Sequence, residues 1–192
     1  MDINPDFTIV DLEQRTPKWH ECRRNGVGAT NAQVTMGNHW KGFDRLLRIK
    51  ASLSDYQNSA MISGAKLEAE ARAKYISRTG RVVKPVCVQS TKHKWLRASL
   101  DGLADDHNGV VEIKCGARVY EIVDETASIP DYYYAKTQHI LAVTGLRSLD
   151  FWCHWPGRPD LLVNVPRNND YIKNLLEKEE AFWNMVLDLR KA

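Results

Sequence analysis

Apolar positions along this chain of 192 residues change their period several times, and each change marks an element. Around Trp19 to Met36 the pattern predicts a helix, a turn broken by Gly26 and Gly28, and a second helix that Thr30 or Asn31 would cap. Residues 43–52 read as a helix with Phe43, Leu46, Leu47 and Ala51 on one side. A longer helix is predicted from Ile62 to Ser77, where Ala65, Glu68, Ala71 and Tyr75 share a stripe, and Thr79-Gly80 ends it. This stripe places a glutamate among small and apolar residues. Glu70 lies four residues from Lys66 and from Lys74, the spacing of a surface ion pair.

The period then shortens to two. Val82-Val83 and Val86–Val88 read as strand around Pro85, which suggests a sheet edge. Trp95–Ala104 and Val110–Cys115 form two further strands, and Asp105-Asp106-His107-Asn108-Gly109 between them has hairpin chemistry. Residues 131–145 return to helical spacing and stop at Gly145. Leu149–Trp155 and Leu161–Val165 make a second hairpin across Pro156-Gly157-Arg158-Pro159. The last helix runs from Asp170 to Leu189, with Ile172, Leu175, Leu176, Phe182, Val186 and Leu189 facing inward. No repeat, linker or low-complexity segment interrupts the order. The expected fold class is α/β, a single domain over residues 1–192 with a mixed central sheet flanked by helices.

Composition narrows the choice. Hydrophobic residues make up 43% of the chain and charged residues 27%, as in a soluble globular domain. No apolar run reaches the length of a membrane span. The start, Met1 to Asp6, lacks the pattern of a secretory signal, so a cytoplasmic protein is expected. Cys22, Cys87, Cys115 and Cys153 have neither disulfide-framework nor zinc-finger spacing and read as free thiols. Net charge is only +3, but it is unevenly spread. Residues 61–100 hold nine basic and two acidic residues, and residues 101–131 hold eight acidic and two basic ones. The pattern fits either a phosphate-binding surface beside a metal site or a solvated helix face beside an acidic loop.

The chemistry concentrates in Leu100-Asp101-Gly102 followed ten residues later by Glu112-Ile113-Lys114. Strand alternation sends Glu112 and Lys114 to one face and Ile113 to the other, and the hairpin folds Asp101 back toward them. Two carboxylates and an ammonium then converge, a set that suits Mg²⁺ held by few protein ligands together with a phosphate. Glu68 adds a third carboxylate from the neighbouring helix. In isolation the same residues also fit an ordinary exposed pair on a sheet.

The wider set of motifs resembles one family. It comprises Arg23-x-x-Gly26-Val27-Gly28-Ala29-Thr30, Met61-x-x-Gly64-x-x-x-Glu68, Tyr75 with Gly80, and Leu100-Asp101-Gly102. Glu112-Ile113-Lys114 and Gln138-His139-x-Leu141-Ala142-Val143-Thr144-Gly145 complete it. In this order and spacing it is similar to the YqaJ-like viral recombinase (lambda phage exonuclease) family of the PD-(D/E)xK nucleases, which have a restriction-endonuclease-like core. The resemblance runs from Trp19 to the final helix.

It implies a metal-dependent 5′→3′ exonuclease on linear duplex DNA that releases 5′-mononucleotides and leaves a 3′ strand for annealing. Asp101, Glu112 and the Ile113 carbonyl would be metal ligands, Lys114 the catalytic lysine, and Glu68 the helix glutamate near the metals. Arg23 and Thr30 would hold the 5′-phosphate, and Gln138 would belong to the catalytic helix. Two Mg²⁺ ions are implied, with Mn²⁺ substituting. The implied partners are duplex DNA ends, a single-strand annealing protein and copies of the chain in a ring trimer, in the host cytoplasm for a phage gene.

Three positions depart from the family pattern. Thr30 stands for Ser, Leu100 precedes Asp101 in place of Pro, and Lys136 replaces the first of two glutamines, where it would contact a phosphate or orient water. The competing readings are a structure-specific endonuclease of the same fold and a non-catalytic DNA-end-binding module. Other polar residues read more simply. His139 is expected to pack, Trp152 and Trp155 to line the core, and two of Tyr132–Tyr134 to be structural. His20, Arg72, Arg78, Arg81, Lys92 and Lys94 are open to DNA contact or plain solvation.

Overall fold

A mixed sheet carries the molecule, and its strands part at the residues that matter most. The computed structural model describes residues 6–37, 40–51 and 60–191, with only the backbone of 40, 41 and 60–66. The first five residues, the end of the helix expected to reach 52, and the side chains of Met61 and Lys66 therefore lie outside the described residues.

The chain begins with strand β1 (Phe7–Val10), then helix α1 (Pro17–Arg24), a two-residue strand β2 (Val27–Gly28), a 3₁₀ turn (Ala29–Asn31) and a short α2 (Ala32–Met36). Helices α3 (Trp40–Ala51) and α4 (Ala60–Thr79) follow, then strands β3 (Val83–Ser90), β4 (Leu96–Ala104) and β5 (Val110–Cys115). After α5 (Ala117–Thr126) and α6 (Asp131–Thr144) come β6 (Ser148–His154), β7 (Leu161–Pro166) and α7 (Asn169–Lys191). The sheet order is β1-β3-β4-β5-β6-β7, with β2 beside β4. Among the described residues only β2–β4 and β5–β6 pair in parallel. A parallel pair needs a crossover, and α5 and α6 supply it between β5 and β6.

Two cores lie on opposite faces of the sheet. Ala71 and Tyr75 of α4 pack with Val83, Ala104, Val111, Ile113 and Trp152. The larger core gathers Leu100, Val119, Val123, Ile140, Leu141, Phe151 and Ile172 from the strands, α5, α6 and α7. Two members of the expected stripe on α4 join this core: Ala71 and Tyr75 are buried, and the Tyr75 hydroxyl donates to Asp150 Oδ2 at 2.7 Å, whereas the Ala65 side chain lies outside the described residues.

Several expectations need correction. β1 and β2, four and two residues long, are not among the expected elements, and neither is α5, although Val119, Tyr120 and Val123 form its buried face. β3 is one strand between β1 and β4 rather than an edge. Pro85 sits where its register with β4 shifts, between Lys84 and Val86, so its missing N–H breaks no regular ladder. Leu189 is exposed at the end of α7. Neither Thr30 nor Asn31 caps α2 through its side chain. Asn31 Oδ1 instead accepts the Gly28 N–H at 3.0 Å. Glu70 does pair with Lys74, at 3.2 Å. The four cysteines are free. Among the described residues no helix is long and apolar enough to cross a membrane.

Gly102 is the tightest point of the sheet. A Cβ there would lie 2.6 Å from Val111 Cγ1 and 2.8 Å from Val83 Cγ2. We therefore expect Gly102→Ala to cost about 1–3 kcal/mol, the usual range for overpacking, read as an earlier midpoint in urea unfolding. An unchanged midpoint would mean that the strands give way freely.

Candidate active site

The site begins where β4 and β5 separate. Their ladder consists of Gly102↔Val111 and Leu103↔Val110 and then stops. The next residues, Asp101 and Glu112, are no longer strand partners. Asp101 Oδ2 instead accepts the Ile113 N–H at 2.9 Å, so a side chain replaces the missing ladder bond. N–H and C=O of one strand residue point to the same side, so the Ile113 carbonyl faces this gap too. It accepts Lys114 Nζ at 2.9 Å. On the other side of β4, Gln14 Nε2 bridges the Val86 and Leu100 carbonyls at 3.3 and 3.0 Å, beside the Pro85 register shift.

Charge is concentrated in the gap. The Glu112 side chain is fully buried and its Oε1 accepts from both Lys114 and Lys136, with Lys136 reaching across from α6. Lys114 also lies 4.0 Å from Asp101 Oδ2. Glu112 Oε2 is buried and has no hydrogen-bond partner. Burial and the Glu112 charge push the Asp101 carboxyl up to about 6. Burial acts on Glu112 in the same sense, but the two ammoniums outweigh it and hold its carboxyl below the usual range. Burial would lower Lys114, yet Glu112 and Asp101 raise it. For Lys136 burial wins, helped by the neighbouring Lys114 charge, and its ammonium is easier to deprotonate than usual.

Glu68 approaches from α4 but is already bound. Its oxygens take Arg72 at 2.7 Å and Arg15 at 2.9 Å, and Arg72 Nε continues to the Asp101 carbonyl at 2.7 Å. Arg23 and Thr30 are directly joined, Nη2 to Oγ1 at 2.9 Å, with the guanidinium 4.5 Å from the Trp19 ring centre. Trp19 is anchored by its Nε1 donating to Ser99 Oγ at 2.8 Å. Arg23, Thr30, Glu68, Asp101 and Lys136 line one cavity of about 160 Å³.

Gln138 is not brought to the carboxylates. It lies two residues beyond Lys136, about 200° around the helix. Its Nε2 donates to the Pro166 carbonyl and its Oε1 accepts the Asn168 N–H, both at 2.9 Å. His139 is buried between Glu179 and the Arg97 carbonyl, so it packs as expected. Arg72, Arg78, Arg81 and Lys92 all have partners within the chain. His20 stacks edge-on against Trp19. Tyr133 lies against Phe151 and beneath Lys114, and Tyr134 against Tyr171. Sequence reasoning missed Gln14, Arg15, Lys50 and Arg97, whose roles depend on contacts between distant segments and leave no signal in local spacing.

Among the described residues no cluster of three His, Cys, Asp or Glu side chains forms a metal cage. Two carboxylates, one of them with an unpartnered buried oxygen, and a backbone carbonyl nevertheless surround ammonium groups. This donor set fits a hard divalent cation that keeps several waters.

These features define a nuclease domain of restriction-endonuclease-like fold. The model of the YqaJ-like viral recombinase domain matches residues 18–147, and the chain belongs to that family. An alkaline exonuclease (LHK-Exo) from Laribacter hongkongensis is similar in structure, with a TM-score of 0.81 and 25% identity over 92% of this chain and 95% of that one. The same enzyme in complex with dAMP gives a TM-score of 0.80, again at 25% identity over 92% and 95% of the two chains. A phage-related exonuclease from Haemophilus somnus 129PT shares the fold, with a TM-score of 0.64 and 10% identity over 85% of this chain and 94% of that one. No curated protein sequence matches the chain.

The buried charges make an asymmetric prediction. Glu112→Gln leaves Lys114 and Lys136 without their shared counter-charge and should cost about 3–5 kcal/mol. Lys136→Met leaves the Glu112–Lys114 pair intact and should cost well under half of that. Urea unfolding of both variants checks the order, and equal losses would contradict it.

Proposed function

We propose that this domain is a metal-dependent exonuclease that degrades linear duplex DNA in the 5′→3′ direction. It would release 5′-mononucleotides and leave a 3′ strand for recombination by annealing. One observation carries the reading: the Arg23–Thr30 pair and the Asp101–Lys136 region line the same cavity. A group that anchors a chain end beside a group that cleaves is what an exonuclease requires. An endonuclease needs an unobstructed groove instead. The similarity to an alkaline exonuclease that has also been seen with dAMP supports the same reading.

Arg23 and Thr30 would hold the terminal 5′-phosphate, the guanidinium through paired N–H groups and the hydroxyl as a further donor. Asp101, Glu112 and the Ile113 carbonyl would hold Mg²⁺, or Mn²⁺ in its place, at up to two ions. A bound divalent ion supplies polarisation of the phosphoryl group and a more acidic water at neutral pH. Lys114 would orient the attacking water and offset charge on the phosphate. Lys136, at the position where the family has glutamine, would share that second task. Glu68 would act as a negative group fixed by Arg15 and Arg72. Gln138 would support the site from behind by tying α6 to the β7–α7 connection. A ring trimer threaded on DNA, a single-strand annealing partner and action in a host cytoplasm complete the proposal.

The test is digestion in Mg²⁺ of linear duplex with a 5′-phosphate, the same duplex with a 5′-hydroxyl, and a closed circle. We expect mononucleotides from the phosphorylated linear DNA and an intact circle. Lys114→Ala should lose about 10²–10⁴-fold in rate while still binding DNA, and Glu112→Ala should lose digestion as well. Cutting of the circle would favour an endonuclease. No cutting in Mg²⁺ or Mn²⁺ would leave a DNA-end-binding module.

A further inference from the structure

The Arg23–Thr30 pair is backed by cations that the reading above leaves without a task. Lys50 of α3 is 6% exposed. Its Nζ donates to the carbonyls of Arg23 and Gly26, the second at 2.7 Å. Its own carbonyl accepts Nε and Nη2 of Arg190 at 3.2 and 2.8 Å. Arg190 continues to the Arg24 carbonyl at 2.9 Å and to Asn25 Oδ1 at 3.1 Å. Arg97 of β4 donates to the Cys22 carbonyl at 2.9 Å and to its sulfur at 3.2 Å. The last turn of α1 is therefore held by cations from α3, β4 and α7, and Arg23 makes a fourth.

Among the described residues the partners of these four are neutral: backbone carbonyls, an amide, a thiol, the Thr30 hydroxyl and the indole faces of Trp19 and Trp183. Among the described residues no carboxylate forms an ion pair with any of them. The carbonyls at a helix C-terminus offset such charge only in part. Buried charge without a counter-ion is costly, and a group that can shed its charge does so.

Lys50 is the group able to do this. Burial, then Arg23, Arg190 and Arg97, push its ammonium down to about 7, with Cys22 acting weakly the other way. These are the charged and titratable groups that face it from α1, α7 and β4. Deprotonation costs no hydrogen bond, because a neutral amine keeps two N–H groups for two carbonyls. The third proton of the ammonium has no acceptor among the described residues.

We propose that Lys50 regulates the charge of the end-binding pocket: in the empty pocket it sheds its proton as pH rises above neutrality, and it takes one up when a phosphate monoester dianion binds Arg23 and Thr30. The proposal rests on the reading that this pocket receives the 5′-phosphate of DNA. Lys50 does not line the cavity and acts through Arg23, whose backbone it fixes, so it is a positioning residue. The sign follows from linkage. An incoming dianion favours the charged amine, so binding takes up a proton and weakens as pH rises above the free-state value. Below that value Lys50 already carries its charge and the dependence vanishes.

The experiment is calorimetric titration of the protein with blunt duplex in EDTA, so that nothing is cleaved. Ends bearing 5′-phosphate and 5′-hydroxyl are compared at pH 8 in buffers of different ionisation enthalpy. The phosphate is already a dianion at that pH, so its own titration contributes little. We expect proton uptake approaching one per phosphorylated end and none for hydroxyl ends. Affinity for the phosphorylated end should fall by up to about tenfold per pH unit between 7 and 9. Lys50→Arg keeps a permanent charge and should bind the phosphorylated end without proton uptake and with a flat pH profile. Lys50→Met should bind it more weakly. Equal affinity for both ends would overturn the pocket assignment itself. Tighter binding of the phosphorylated end without proton uptake, or uptake that persists in Lys50→Arg, would overturn the role of Lys50 alone.

Discussion

The early parting of β4 and β5 is the constraint on which the site depends. Two residue pairs hold the strands together, Gly102 with Val111 and Leu103 with Val110. Beyond them the ladder would have paired Asp101 with Glu112 and closed the sheet. The opening frees the Ile113 N–H and carbonyl, and the Asp101 carboxylate satisfies the first of these. The carbonyl, the carboxylates and the lysines then share one gap. An unpaired backbone group in a buried sheet is expensive, so Asp101 has a structural duty as well as a chemical one. Gly102 is where the strands still touch, with Val83 and Val111 too close for any side chain. The Pro85 register shift opposite Asp101, bridged by Gln14, accommodates the same distortion from the other side.

The sequence showed the strands of this site more clearly than their separation. Alternation placed Glu112 and Lys114 on one face and Ile113 on the other, and the structure agrees: Lys114 binds Glu112 while Ile113 packs under α4. The Asp, Asn and Gly turn chemistry between Asp105 and Gly109 places Asp101 opposite them. The order of the motifs along the chain alone points to the family. Alternation does not reveal where a ladder ends, because that depends on bonds between residues far apart in the chain. The same reason hid β1 and β2, which are four and two residues long. It also hid the arginines that bind Glu68. On its stripe Glu68 looked like a free ligand, but Arg15, fifty-three residues away, and Arg72 already hold both its oxygens.

Helix geometry separates the two residues that a motif would treat together. Lys136 and Gln138 are two residues apart, yet that step turns just over half way round a helix. Lys136 reaches Glu112, and Gln138 secures the start of α7. With lysine at position 136, Glu112 is faced by two ammoniums. One carboxylate cannot fully satisfy both, which is why the buried Lys136 ammonium is held less firmly than that of Lys114.

Charge beside the cleft is handled in two opposite ways. Around Glu112 two ammoniums face two carboxylates, and one Glu112 oxygen is left over. At Arg23, Lys50, Arg97 and Arg190 the cations are matched, among the described residues, only by dipoles. A balanced cluster with a spare oxygen suits a cation that arrives with its own waters. An unbalanced cationic cluster suits an anion that arrives with two charges. On the function proposed above, a DNA end with a terminal phosphate and a divalent ion would answer both at once. The phosphate would offset the unmatched cations, and the ion would meet the spare Glu112 oxygen.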